Sequence, residues 1–424
     1  MSKLSFLEHI FSITNYGFHK QICILGIKIR IYDETKYKNF YDCLPVQNNK
    51  ILFKTFNGAY TCNPKYIAEE ILKQNLPYDL VWVVNKDILK YINDFPKNIR
   101  LVMKGSPEDV KEHKTAKIWI DNLRKEYYVK KHILKKDNQV YIQTFHGSLG
   151  IKKSGDDNPH NRYKSFMKYA RLDSKQIDYL TSNGTYTTNF FKRMFWDNGN
   201  IIECGHPRND VFFKDNSDIK KKVYEYYNIP SDAKIIMYAP TFREDGDMSC
   251  YSLNFEKLLS AVSKKFGGKW VVIMRLHPRL VNLMQDCVEN KDYVIDATNY
   301  SDIQELMVSA DAIVTDYSSC IYDFMLSRKP GFIYATDVEK YNNGRGLYYP
   351  LTSTPFPVAS NNDEMVKNIE QFDYDTYKVG VEEFLKEKGC IDDGHASERV
   401  VELIKNIIDN AQEKEQTDKQ EACV

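Results

Sequence analysis

The sequence predicts an α/β protein of two doubly wound halves preceded by a short appendage. Short apolar runs of the kind buried inside parallel sheets, such as Leu80-Val81-Trp82-Val83-Val84 and Trp270-Val271-Val272-Ile273-Met274, alternate with stretches of helical periodicity in both halves. At 424 residues and 42% hydrophobic content the chain is long enough for two cores and oversized for one. Several of the strand-type runs stop on polar or cationic residues, as they do where a ligand gathers beyond the carboxyl edge of an open sheet.

The elements follow in order. Residues 1–45 read as an appendage: Leu4, Leu7, Ile10 and Phe11 share one helical face, and the stretch from Ile22 to Ile31 alternates in its second half as a hairpin would. The helix is expected to pack on the body rather than graze a membrane. A first domain spans 46–205, with Ile51-Leu52-Phe53, Leu80 to Val84, Lys117 to Ile120 and Val140-Tyr141-Ile142 as strands. Gly205-His206-Pro207-Arg208 forms the break, and a second domain spans 206–395. A helix over 396–412 carries an apolar stripe of Val400, Val401, Leu403, Ile404, Ile407 and Ile408 that packs back on the body, and 413–424 reads as a polar, frayed tail.

Composition removes several classes of function. No apolar run approaches the roughly 20 residues that span a bilayer, and the N-terminus lacks the apolar core of a signal peptide, so the protein is expected in the cytoplasm. Nine cysteines without a C-x-x-C pair give neither a disulfide framework nor a zinc site. A net charge of +1 excludes polyanion binding by bulk electrostatics. Locally, Arg124, Lys125, Lys130, Lys131, Lys135 and Lys136 interleave with Tyr127, Tyr128 and His132, with Lys152 and Lys153 beyond, a patch suited to an anionic polymer or the anionic inner leaflet, or simply a solvated basic face. No nucleic-acid-binding motif accompanies it.

The chemistry concentrates at strand ends. Gln143-Thr144-Phe145-His146-Gly147-Ser148 sets an imidazole beside a glycine where the strand Gln139 to Ile142 runs out; such a histidine can move a proton near neutral pH, and the glycine admits a bulky anion to the backbone, although a turn histidine can equally be a packing residue. Asp311 to Ser319, followed by helical spacing to Ser327, reads as strand, turn and helix, with Ser318 or Ser319 capping a helix start able to receive phosphate. Trp270 to Pro278 ends on Arg275 and His277, and Ile235 to Arg243 ends on Thr241 and Arg243. Asp245-Gly246-Asp247 sits in a polar loop and reads as a turn rather than a metal ligand pair.

These segments resemble the CDP-glycerol glycerophosphotransferase family, which includes the poly(glycerol phosphate) and poly(ribitol phosphate) polymerases and primases of teichoic acid and capsule synthesis. The matches are Gln143-Thr-Phe-His-Gly147, Gly205-His-Pro-Arg-Asn-Asp210, Tyr238-Ala-Pro-Thr-Phe-Arg243, Arg275-Leu-His-Pro278, Thr315-Asp-Tyr-Ser-Ser319 with Asp323, and Gly344-Arg-Gly346, in the family's order. Phe145 stands where tryptophan is usual, and Ser148-Leu149-Gly150 where Thr-Pro-Leu is frequent, which bears on the acceptor. The Leu25-Gly-Ile-Lys-Ile29 pattern resembles a short N-terminal hairpin of many bacterial polysaccharide transferases.

The resemblance implies a GT-B type fold, two Rossmann-like domains facing across a cleft, the first taking the acceptor and the second the CDP-activated donor. It implies transfer of glycerol phosphate from CDP-glycerol to a hydroxyl of a glycerol phosphate or glycan acceptor, which can be lipid-linked, with release of CMP. His146 and His277 take the catalytic roles. From residue type and position we expect Gly147, Arg208, Thr241, Arg243, Arg275, Asp316, Ser318, Ser319, Asp323 and Arg345 to bind substrate. With a helix start, Arg243 and Arg275 available, the leaving diphosphate is expected to need no metal or other cofactor. The alternatives are a CDP-ribitol donor, a nucleotide-sugar glycosyltransferase, and a non-catalytic polymer-binding protein.

Overall fold

The computed structural model describes residues 11–16, 19–32, 40–158, 164–243, 246–276 and 292–421. The appendage is a three-stranded antiparallel sheet, β1 (Phe11–Tyr16), β2 (His19–Ile24) and β3 (Ile27–Tyr32), in the order β1-β2-β3. Leu25 and Gly26, at φ 48° and 83°, make the tight turn that a two-residue hairpin requires. Phe11, assigned above to a helical face, instead opens β1, because Phe11-Ser12-Ile13-Thr14 alternates with the period of a strand. Leu4, Leu7 and Ile10 lie outside the described residues.

The first domain holds a seven-stranded parallel sheet. Its strands are β4 (Gln47–Lys54), β5 (Asp79–Val84), β6 (Ile99–Met103), β7 (Ala116–Asp121), β8 (Val140–Gln143), β9 (Tyr179–Ser182) and β10 (Asn200–Glu203), ordered β10-β9-β8-β7-β4-β5-β6. Every residue of β7 is buried, as expected of a strand covered on both faces. Alternate residues serve the two sides. Ile51, Phe53, Trp82 and Ile118 pack with Ile67 and Ile71 of helix α1 (Cys62–Lys73), whereas Leu52, Val81, Val83 and Trp119 meet Phe190 and Phe191 of α2 (Thr185–Met194).

The second domain repeats the plan with β11 (Ala233–Ala239), β12 (Lys269–Met274), β13 (Val294–Asp296), β14 (Ala312–Thr315), β15 (Gly331–Tyr334) and β16 (Val358–Ala359), all parallel, ordered β13-β12-β11-β14-β15-β16. Helices α3 (Ile303–Ser309), α4 (Cys320–Phe324) and α5 (Val338–Gly344) follow β13, β14 and β15. The strand order reverses between β4 and β7 in one sheet and between β11 and β14 in the other, and a crevice opens at such a point. This is a GT-B architecture.

The domains are tied together at several levels. Leu149 and Ile151, from the first domain, belong to the core of the second. The last helix, α6 (Ala396–Glu421), returns to the first domain, where Val400, Val401, Ile404 and Ile408 join the Ile51–Trp82 cluster. It runs through the stretch expected to fray, because Ala411-Gln412-Glu413-Lys414-Glu415-Gln416 are strong helix formers however polar; Asn48 Nδ2 also donates to Glu415 Oε2 at 2.8 Å. Between the domains, Lys65 Nζ of α1 meets Asp302 Oδ2 at 2.7 Å and Glu305 Oε1 at 2.6 Å, all buried. A Cβ on Gly184 would lie 1.8 Å from the Gly389 carbonyl oxygen, so the returning chain passes where only glycine fits.

The basic patch expected between Arg124 and Lys136 is largely consumed inside the first domain. Arg124 donates to the carbonyls of Ala170 and Met194, Lys125 is buried over the Trp119 and Tyr141 rings, Lys130 pairs with Glu126, Lys135 with Asp178, and Lys136 donates to the Leu44 carbonyl. Arg124, Lys125, Lys135 and Lys136 thus cover rings and loop ends, while Lys130 and Lys131 stay exposed.

Candidate active site

His146 follows β8 in a loop whose conformation is imposed by its neighbours. Phe145 adopts φ 52°, an unfavourable left-handed state for a bulky residue, and its ring packs against Phe190, Phe191 and Phe195. The strained turn is held by Gln143 Oε1, which accepts from Phe145 N at 2.9 Å, and by Asn63 Nδ2, which donates to the carbonyls of Thr144 and Phe145 at 3.1 and 3.0 Å. With the loop fixed, His146 Nδ1 reaches the Asn122 carbonyl at 2.6 Å at the end of β7. Nδ1 therefore carries the proton, and Nε2, with its lone pair, has no partner among the described residues. Burial, reinforced by the Arg208 and Lys152 charges, brings the imidazole down to about 4, so it is neutral at pH 7.

Arg208, from the crossover after β10 and expected to bind substrate, is engaged inside the protein through both Nη atoms. Its Nη1 donates to the His146 carbonyl, and its Nη2 pairs with Asp323 Oδ2 of α4 at 2.7 Å, both side chains being buried. Its backbone N–H donates to Asn63 Oδ1 at 3.0 Å, closing a circuit with the His146 loop. Asp323 Oδ2 is thereby engaged by Arg208, while its Oδ1 has no partner among the described residues. Beside them His206 was missed in reasoning from the sequence: Nδ1 bonds Ser148 Oγ at 2.6 Å, and burial, then Arg208, holds the ring well below the usual histidine range, which makes it a neutral strut. Its motif, Gly205-His206-Pro207, was visible; its partner was not.

The second domain meets this loop closely. A Cβ on Gly147 would stand 3.6 Å from Ser319 Oγ, so the His146 loop and the β14 end face one another. Ser318 and Ser319 are partly accessible there; α4 has five residues, so its dipole is short, and among the described residues the side-chain cap from either serine is the long contact from Cys320 N–H to Ser318 Oγ at 3.5 Å. Asp316 is structural: its carboxylate accepts from Thr241 N at 2.9 Å and Tyr317 N at 2.6 Å. Thr241 Oγ1 is buried without a partner among the described residues.

Two guanidiniums expected to hold phosphate are otherwise engaged. Arg243 pairs with Asp337 through Nε at 2.8 Å and with Asp316 through Nη2 at 2.9 Å, close to the stacked rings of Tyr317 and Tyr341. Arg275 Nη1 donates to the carbonyls of Ala297, Thr298 and Tyr300, tying the loop after β13. Asp247 is half-buried and pairs with Lys340 at 2.6 Å. His277 and Asp245 lie outside the described residues.

The cations that remain are Lys152 and Arg345. Lys152 bridges antiparallel to Leu347, and Lys153 N donates to the Gly346 carbonyl at 3.0 Å, so a first-domain loop runs as a strand along the Arg345 segment of the second. Neither Lys152 nor Arg345 makes a side-chain hydrogen bond or ion pair among the described residues. Burial lowers the Lys152 ammonium; Asp316 opposes the shift, while Arg345 and Arg243 deepen it. Since Lys152 also acts on His146, the uncompensated charge lies within electrostatic reach of the free Nε2. A neutral imidazole base, an unpaired hydroxyl and two unpaired cations from opposite domains suit an anionic substrate whose reacting oxygen loses a proton.

Comparison with known proteins places the chain in a family. Residues 37–406 match the family described as CDP-glycerol:poly(glycerophosphate) glycerophosphotransferase. The chain is 31% identical over 391 residues to a teichoic acid poly(glycerol phosphate) polymerase of Staphylococcus epidermidis, covering 88% of this chain and 53% of that protein. It is 31% identical to a teichoic acid glycerol-phosphate transferase of Staphylococcus aureus, covering 84% of this chain and 92% of that one. A solved structure of a variant of the wall teichoic acid polymerase TagF with CDPG superposes with a TM-score of 0.76 at 29% identity, covering 89% of this chain and 94% of that one. The chain spans about half the length of the poly(glycerol phosphate) polymerases of S. epidermidis and Bacillus subtilis that it matches. No helix among the described residues is long and apolar enough to cross a membrane.

Proposed function

The chain belongs to the CDP-glycerol:poly(glycerophosphate) glycerophosphotransferase family, and from that premise we propose that it transfers glycerol phosphate from CDP-glycerol to a hydroxyl of a glycerol phosphate or glycan acceptor in the synthesis of a teichoic acid-like or capsular polymer. The acceptor oxygen bonds to the phosphorus that carries glycerol, the bond from that phosphorus to the bridging oxygen breaks, and CMP departs with the electron pair. His146 Nε2 takes the acceptor proton, a contribution worth about 10²- to 10⁴-fold. Lys152 and Arg345 meet the charge of the diphosphate and Thr241 Oγ1 adds a donor, so the proposal requires no metal. A lipid-linked acceptor would be used at the inner face of the membrane.

The observation that carries this reading is the free Nε2 of a neutral His146 within electrostatic reach of Lys152, which itself feels the Arg345 charge across the domain seam. The test is incubation with CDP-glycerol and CDP-ribitol separately, with CMP quantified and acceptor mass recorded, for the wild type and His146→Ala. CMP release from CDP-glycerol should fall by about 10²-fold or more in the variant while thermal unfolding is preserved. Unchanged release removes His146 from the reaction, and turnover of CDP-ribitol alone reassigns the donor.

A further inference from the structure

The appendage precedes the part of the chain that matches the family, and it carries an apolar surface that the transferase reading does not use. Strand alternation and pairing register put Phe11, Ile13, Ile24, Ile27, Ile29 and Ile31 on one face of the sheet: Phe11 stands opposite Ile24, Ile24 opposite Ile27, and Ile22 opposite both Ile13 and Ile29, with the exposed Lys20 opposite Ile31 at the end away from the hairpin tip, where its stem can reach back to headgroup level. These six are exposed, at 43% to 67% of their surface, and Leu25 at the hairpin tip reaches 75%. Isolated surface hydrophobics are ordinary, but a contiguous sheet of isoleucines marks a contact. On the reverse face Lys28 and Arg30 are exposed beside the buried Cys23, and the sequence from His9 to Tyr32 contains no acidic residue.

We propose that this face is an interfacial docking surface for an anionic lipid bilayer, with the isoleucines entering the acyl boundary and Lys28 and Arg30 lying among the headgroup phosphates. The dimensions suit that arrangement. A surface element sinks about 5–10 Å into the interface, and a sheet one backbone thick then brings the cations of its outer face to headgroup level. Charge points the same way, since a cationic, acid-free segment complements anionic lipid and not a second copy of itself. Area also disfavours a second copy. Three strands about 4.8 Å apart and six residues long present roughly 300 Å², so two faces together would bury on the order of 600 Å², about half of what a stable interface needs.

The test is vesicle cosedimentation of the full chain, which needs no turnover, so its failure is separate from any failure of the proposed chemistry. The wild type should sediment with phosphatidylglycerol–phosphatidylethanolamine vesicles and much less with phosphatidylcholine vesicles. Ile27→Thr with Ile29→Thr keeps strand propensity while removing apolar surface and should weaken binding at least about tenfold. Lys28→Gln and Arg30→Gln should each weaken it about fivefold on anionic vesicles. Turnover on a water-soluble acceptor should be unchanged in all three variants. Undiminished binding by the threonine variant overturns the proposal. So does a wild type that ignores vesicles but is a dimer by light scattering and becomes a monomer in that variant, an outcome that assigns the face to a second copy.

Discussion

Replacing Arg208 with methionine separates the role the structure gives it from that of a substrate ligand. Arg208 and Asp323 are 4% and 2% exposed, and their 2.7 Å contact is a buried ion pair. Methionine would leave the Asp323 carboxylate in the interior with Gln304 Nε2, at 3.3 Å, as its remaining donor to Oδ2, while Oδ1 has none. Removing one member of such a pair costs about 3–5 kcal/mol, which for a domain of this size lowers the midpoint of thermal unfolding by on the order of 10 °C. Asp323→Asn in the Arg208→Met background removes the stranded charge and should recover about half or more of that loss. Turnover should not recover, because the donor to the His146 carbonyl is still missing and the base is no longer held in place. The assay is differential scanning fluorimetry alongside CMP release for the four members of the cycle. Two results refute the reasoning: no recovery of stability in the double variant, or an Arg208→Met variant of normal midpoint and kcat whose KM for CDP-glycerol alone is raised.

Two further outcomes follow from the charges. Lys152→Ala should lower kcat/KM for CDP-glycerol about 10- to 100-fold, with Lys152→Arg recovering part of it, and thermal stability should hold or rise because a desolvated, unpaired ammonium is removed; a destabilised variant with normal kinetics contradicts the assignment. At the domain seam, burial pushes the Glu305 carboxyl up, but Lys65 and Lys222 outweigh it and hold it at about 2 against an ordinary 4.5. The folded-state value is depressed, so this stability is present above about pH 4.5 and is lost as pH falls towards 2; urea unfolding midpoints should decline over that window in the wild type and more shallowly in Glu305→Gln.

What could be read in the sequence depended on whether the cause was local. Leu80 to Val84 and Ala312 to Val314 announced strands because a strand buried on both faces has no polar alternation to confuse it. Phe11 misled because Leu4, Leu7, Ile10 and Phe11 fit helical spacing, while Phe11 and Ile13 fit that of a strand equally well, and a few residues cannot arbitrate. In the site, the strand-end position singled out His146, which the structure sets in a fixed loop with Nε2 unpartnered among the described residues. Arg243 and Arg275 also stood at strand ends, but Asp337 and the 297–300 carbonyls that occupy them come from distant parts of the chain. Lys152 shows the converse: it read as part of a basic loop, and only its pairing with Leu347 carries it to the second domain.

The electrostatics of His146 lead to one more expectation, which distinguishes free from loaded enzyme. An imidazole with a value of about 4 is present as base at neutral pH, but it takes a proton with little driving force, since the best general base lies near the working pH. The causes of the depression include the cations Arg208 and Lys152, and a diphosphate beside Lys152 would offset the second of them and act directly on the ring. Donor binding must therefore raise the imidazole towards the ordinary histidine value, strengthening the base only when there is a substrate to deprotonate. The acid limb of kcat/KM, which reports the free enzyme, should lie near pH 4, and the acid limb of kcat, which reports the complex, should lie at least about one unit higher. In Lys152→Gln the free-enzyme limb should itself move up. Steady-state CMP release between pH 4 and 9 measures both, and a kcat limb at or below that of kcat/KM would refute coupling of the base to the donor's charge.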